Sequence, residues 1–269
     1  MGTTISNLQV LIRGMANAQE TIEQALQALL TSQGYTVSDE EEAASRAYFA
    51  AIREGSEWAS IFSHDLSGHV DVEYFSDLET LAVPLSEKLG KPVIHVELFD
   101  SAVMNLRLYE DGKHMDTISN WANYENMPKE RSGDPEKWAS ILPPGATVDG
   151  LRMLIDPENP ESKEKLQNTV DNTLDALLGA FFQDDGGMAD MMRQQVKSFL
   201  PNDLMGMVSP EDAADLYQEI ANLLEFDEEL AHMSGDDFAD IESTDDDDEA
   251  DSDEDDLSIS ILYCKREHP

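Results

Sequence analysis

The densest collection of groups able to hold a metal or move a proton is the run Ser63-His64-Asp65-Leu66-Ser67-Gly68-His69-Val70-Asp71-Val72-Glu73. Imidazole nitrogens and carboxylate oxygens are the ordinary ligands of zinc and non-haem iron, so His64, His69 and Asp71 form a candidate metal set. The reaction such a set would serve is metal-dependent hydrolysis. The spacing does not favour it. Two ligands share one helical face when they stand about four residues apart, whereas His64 and His69 are five apart with Gly68 between them. The plainer reading is a solvated strand-to-helix connection. Nor do Ser63, His64 and Asp65 make a triad by adjacency, because triads assemble in space from separated elements.

A second set alternates along two strand-like stretches. His95 and Glu97 interleave with Ile94 and Val96, and Asn105 and Arg107 with Leu106 and Leu108, which is the period of a half-buried sheet with one polar face. On a concave face, Arg107 with Glu97 or His95 has the chemistry to hold a small ligand. Asp100-Ser101, between the two stretches, reads as a turn former, since short polar side chains imitate backbone hydrogen bonds in tight connections. Cys264 and His268 could pair as thiolate and imidazole, but a nucleophile so near the last residue is poorly preorganised, and Cys264 reads as a packed thiol. Asp251, Asp253 and Asp255 copy the opening of a calcium loop. Asp256 then replaces its turn glycine and Leu262 its closing glutamate, so only diffuse cation binding follows. A phosphate-cradling glycine loop, a Gly-x-Ser-x-Gly elbow and a paired-cysteine motif are all missing from the sequence. No cofactor is expected.

Charge narrows the partners. Lys and Arg total 17 against 57 Asp and Glu, a formal net charge of -40 on 269 residues. A nucleic-acid binder needs a cationic stripe to release counterions from phosphates, and the best this chain offers is Lys129, Arg131 and Lys137. Anionic membranes are disfavoured by the same field. The expected partner is therefore a basic protein, with direct nucleic-acid and membrane binding excluded. With one cysteine, Cys264, no intrachain disulfide is possible, and a reducing, cytoplasmic location is expected. Met1-Gly2 with Ser6 matches the permissive myristoylation pattern, yet Ile5, Leu8, Val10 and Ile12 read better as a strand.

The elements that must position these groups begin with that strand, Ile5 to Arg13. Asn17 is placed to cap a helix carrying Ile22, Leu26, Leu29 and Leu30, ended by Gly34. Arg46 to Arg53 and Glu57 to Ser63 read as a hairpin about Glu54-Gly55-Ser56. Ser76 and Glu79 make a capping-box pattern before Leu78, Leu81, Leu85 and Leu89, with Pro84 kinking that helix or delaying its start to Val83. Pro92 to Phe99 and Val103 to Glu110 are strands, and Asp111-Gly112 supplies a tight turn into Lys113 to Ser119. Beyond Trp121 the pattern turns helical, with starts at Asp134-Pro135, Thr147, Asn159-Pro160 and Ser209-Pro210. Met188, Met191, Met192, Met205 and Met207 read as core, with an adaptable docking surface as the alternative.

Residues 236–256 hold 14 carboxylates in 21 positions and no base, so charge repulsion is expected to keep them unfolded. The residues offered to a partner are Asp245, Asp246, Asp247, Asp248, Glu249, Asp253, Glu254, Asp255 and Asp256. The run is not the terminus, because Leu257, Ile259, Ile261 and Tyr263 alternate with serines as a strand does. That strand returns to its own sheet or joins a partner's edge.

The fold expected is α+β. A ferredoxin-like antiparallel sheet with two helices, widened by one or two strands, spans residues 1–127. A helical region spans 128–235, an acidic disordered linker 236–256, and a final strand 257–265. The function expected is a non-catalytic acidic protein that engages a basic macromolecule, as immunity proteins, nuclease inhibitors and DNA mimics do. The alternatives are a metal-dependent hydrolase using His64 to Glu73 and an acidic chaperone or assembly factor for basic proteins. On a third view the charge serves only to hydrate the surface in high salt.

Overall fold

The computed structural model describes residues 4–38, 44–66, 74–120, 132–156, 213–234 and 257–266. The strands in chain order are β1 (Ile5–Leu11), β2 (Tyr35–Ser38), β3 (Arg46–Arg53), β4 (Trp58–Asp65), β5 (Val93–Phe99), β6 (Val103–Glu110), β7 (Lys113–Ser119) and β8 (Leu257–Arg266). The helices are α1 (Ala18–Ser32), α2 (Tyr74–Leu89), α3 (Val148–Ile155), α4 (Ala213–Leu224) and the short α5 (Glu228–Ala231), with a 3-10 turn at Pro135–Trp138.

The strands form one antiparallel sheet of eight in the order β2-β8-β3-β4-β1-β5-β6-β7. Every residue of β1 is buried, as a central strand covered on both faces must be. Alternation then sorts its side chains. Leu8 and Val10 pack with Leu26 of α1 and Leu81 and Leu85 of α2, whereas Ile5 and Leu11 pack on the other face with Trp138, Leu216 and Ile220. A fully buried aliphatic side chain of this kind contributes about 1.5–3 kcal/mol. A third apolar cluster joins Phe49 and Phe62 to Leu230, with Met233, Leu257 and Ile261 packed against it.

Buried polar bonds fix the second face. Trp58 Nε1 donates to the Leu224 carbonyl at 2.8 Å and meets Phe226 edge to face with ring centroids 4.9 Å apart. Trp138 Nε1 donates to Asp116 Oδ2 at 2.9 Å, and the same oxygen accepts the Asp134 amide at 2.8 Å. Asn7 Nδ2 and Tyr217 Oη both donate to the Ala231 carbonyl, at 3.2 and 2.6 Å. Each is a buried donor that costs about 1–3 kcal/mol when left unmatched.

Several expectations change. The sheet is larger than a ferredoxin-like unit with one or two additions, because Tyr35–Ser38 directly after Gly34 and the C-terminal strand both enter it. The C-terminal strand returns to its own sheet, pairing with β3 on one side and β2 on the other. Asn17 precedes α1 but is left-handed, with φ 48, and makes no side-chain cap bond. Its carbonyl instead accepts from the Thr21 amide and hydroxyl. α2 starts at Tyr74 and runs through Pro84 without ending there, since the residues on either side keep its apolar face buried against the sheet. Thr147 caps α3 through the Gly150 amide as its position suggested. Asp111-Gly112 turns with φ 46 and 72, the doubly left-handed geometry of a two-residue hairpin, and Asp100-Ser101, with φ 49 and 54, opens the three-residue connection between β5 and β6. The expected helix from Asn159, the methionines from Met188 to Met207 and the acidic run lie outside the described residues.

Candidate functional site

Ser6 on β1, His95 and Glu97 on β5, Asn105 and Arg107 on β6 and Ser119 on β7 share the face of the sheet that α2 covers, because the register sets Ser6 opposite Glu97, His95 opposite Arg107 and Asn105 opposite Ser119. Arg107 organises them. Its Nη1 lies 2.6 Å from Glu97 Oε2 and 3.3 Å from His95 Nδ1, and its Nε lies 4.0 Å from Glu79 Oε1 on α2. Asn105 Nδ2 donates to Glu97 Oε2 at 3.4 Å, and Asn105 Oδ1 accepts from Ser119 Oγ at 2.7 Å.

A guanidinium has donors only, so His95 Nδ1 accepts and Nε2 carries the ring proton. Burial, with the Arg107 charge beside it, lowers the His95 pKa to about 3. The ring is therefore neutral at physiological pH and is too weak a base to serve as a proton acceptor there. Burial raises the Glu97 pKa, and Arg107 opposes that rise. The Cys264 thiol is buried and pushed up to about 11 by desolvation, with Arg46 acting against the shift. A protonated thiol is no nucleophile. The cluster thus joins β5, β6 and α2 by charge, and the groups that looked reactive in sequence are held in unreactive states.

A second junction forms where the C-terminal strand enters. Leu257 sits opposite Arg53. The Arg53 guanidinium pairs with Asp227 at 2.6 Å and also with Glu229 of α5, and Leu230, Met233 and Leu257 share the cluster under β3. The end of α5 and the start of β8 therefore meet around Arg53 and Leu230.

Of the metal set, His64 lies at the end of β4 opposite Ala47, and His69 and Asp71 lie outside the described residues. Among the described residues no group of three or more His, Cys, Asp or Glu side chains gathers as a metal site would. Asp245 to Glu249 and Asp253 to Asp256 also fall outside them. Sequence reading named His95, Glu97, Asn105 and Arg107 as one polar face but missed Ser6, Glu79 and Ser119, whose membership depends on register and helix packing. It missed Arg53 with Asp227 and Glu229 as well, whose approach carries no sequence signal.

No family model, curated protein or solved structure matches this chain. Any functional reading rests on its own residues, and among the described residues no helix is long and apolar enough to cross a membrane.

Proposed function

We propose that this chain is a non-catalytic acidic binding protein that engages a basic macromolecular partner, in the manner of an immunity protein, nuclease inhibitor or DNA mimic. The observation that carries this reading is the fate of its cations. Every arginine whose side chain is described is held by a carboxylate of the same chain: Arg13 by Glu57, Arg46 by Asp65, Arg53 by Asp227 and Glu229, Arg107 by Glu97, and Arg152 by Asp149 and Glu136. Lys137 lies 3.6 Å from Asp116, and Lys91 donates to the Arg13 carbonyl at 2.7 Å. The described arginines are engaged within the fold, and with 57 Asp and Glu against 17 Lys and Arg the surplus of carboxylates sets the outward field.

Such a field steers a basic partner and repels phosphate polymers. The strand order β5-β1-β4-β3, with α1 and α2 on one face, supports reading the N-terminal half as a ferredoxin-like unit enlarged on both sides. A cytoplasmic site of action fits the single buried cysteine.

The test is capture of partners from source-cell lysate by full-length protein, at low and at high salt. A second bait carries Asn or Gln in place of Asp245, Asp246, Asp247, Asp248, Glu249, Asp253, Glu254, Asp255 and Asp256, keeping the length and β8. The reading expects basic proteins, lost at high salt and reduced with the neutral bait. Capture that ignores both changes would refute it. A single stoichiometric partner marks an inhibitor, and many basic clients mark the chaperone alternative.

A further inference from the structure

α5 is four residues long, far below the length at which a helix holds itself together in water. The sheet holds it at both ends. At its start, Asp227 accepts the Leu230 amide through Oδ1 at 3.0 Å and the Arg53 guanidinium of β3 through Oδ2 at 2.6 Å. At its end, the Ala231 carbonyl accepts Asn7 Nδ2 of β1 at 3.2 Å and Tyr217 Oη of α4 at 2.6 Å, and Asn7 Nδ2 also donates to the Met233 carbonyl at 3.5 Å. Asn7 is fixed from behind. Its Oδ1 accepts Gln9 Nε2 at 2.9 Å, and Gln9 Oε1 accepts Ser60 Oγ at 3.0 Å.

Asn7, Gln9, Ser60 and Tyr217 are all buried, none more than 1% exposed. Moving the end of α5 would leave Asn7 and Tyr217 as buried donors without an acceptor. A buried network whose members are matched to one another holds one arrangement rather than several. The same short helix serves the C-terminal strand. Leu230 completes the cluster of Ala47, Phe49, Ala51 and Phe62, against which Met233 and the β8 residues Leu257 and Ile261 pack. Leu257 also stands opposite Arg53 in the register, the arginine that holds the start of α5. Without α5, Phe49 and Phe62 lose part of their cover, and Leu257 and Ile261 lose part of the cluster that holds them.

We infer that α5 is a latch on the C-terminal strand: α5 and β8 open together in one sub-global step, while β1, β4 and β5 stay paired. The coupling does not depend on the partner reading above. It makes β8 responsive to whatever loosens α5, and α5 to whatever loosens β8.

The test uses the full-length protein. Cys264 is its single cysteine and is buried on β8, so the rate at which an aromatic disulfide reagent labels it reads the opening of that strand. Asn7→Ala acts at one end of α5. Asp227→Asn acts at the other, keeping an N-cap side chain and removing the charge that faces Arg53. Each is expected to speed labelling about tenfold or more, the effect of one buried hydrogen bond. The control is Trp138→Phe, which removes the bond to Asp116 of β7, a contact shared with neither α5 nor β8. It should lower global stability in urea unfolding and leave the labelling rate unchanged. Labelling that tracks global stability in all three variants means that β8 opens only with the whole fold, and overturns the latch. Labelling unchanged by both α5 variants overturns it as well. Asp227→Asn carries the same comparison if Asn7→Ala does not fold.

Discussion

Burial, with the Arg107 guanidinium beside it, decides what His95 can do. The guanidinium sits between two carboxylates and the buried imidazole, and burial first, then that charge, keeps the imidazole neutral in the folded state. The consequence is a pH dependence with a definite sign. The folded His95 pKa is lowered to about 3 from the ordinary 6.5, and the unfolded chain binds a proton that the folded chain refuses between those values. Stability is full above the unfolded pKa and falls as pH drops below it, by roughly 1.4 kcal/mol per pH unit for one such group. His232, also lowered by burial, acts in the same direction. Urea unfolding between pH 7 and pH 5 should therefore show a shallower decline in His95→Gln than in the parent, and an unchanged slope would remove His95 from the account. Trp58 offers a second residue-level expectation. Trp58→Phe loses the bond to the Leu224 carbonyl and part of a buried ring, and should cost about 2–4 kcal/mol in the same measurement.

Among the elements, β8 carries the most unexpected role. It is an interior strand, with Leu262 and Cys264 buried in the cluster beneath α1 and α2, although it follows the most highly charged part of the chain. Truncation after Asp256 should expose Tyr48 and Phe49 of β3 and abolish the cooperative thermal transition, or lower its midpoint by about 10 °C or more. Neutralising the carboxylates of residues 236–256 at constant length should leave the midpoint unchanged or raise it, because fewer like charges are then held between Ser234 and Leu257. If truncation proved harmless, β8 would be an accessory strand. Any partner experiment must therefore neutralise the run and retain the strand, since a deletion of both confounds lost charge with lost fold.

At the scale of the molecule, net charge sets the response to salt. A chain at -40 repels itself, so its melting temperature should rise as sodium chloride goes from about 0.02 to about 0.5 M, where screening shortens from roughly 20 Å to under 5 Å. Association with a basic partner should fall over the same range, through slower encounter. Opposite salt responses of folding and binding in one preparation would tie both to one field. A melting temperature indifferent to salt would show that the surface charges are locally compensated.

Local sequence determined much of this protein: the α+β character, the Asp111-Gly112 hairpin, the caps at Asp134 and Thr147, the polar alternation of His95, Glu97, Asn105 and Arg107, and the strand beginning at Leu257. All of these depend on periodicity or on the preferences of neighbouring residues, which a linear reading contains. It did not determine that Tyr35–Ser38 would form a strand, because four residues carry too little pattern. Nor did it show that Glu79 would reach Arg107, or that Arg53 would meet Asp227 and Glu229 beside Leu257. Those meetings join residues far apart in the chain and depend on register, helix placement and sheet order. Only the tertiary structure decided that the final strand closes on its own sheet, because its pairing with β3 and β2 joins residues about 200 positions apart.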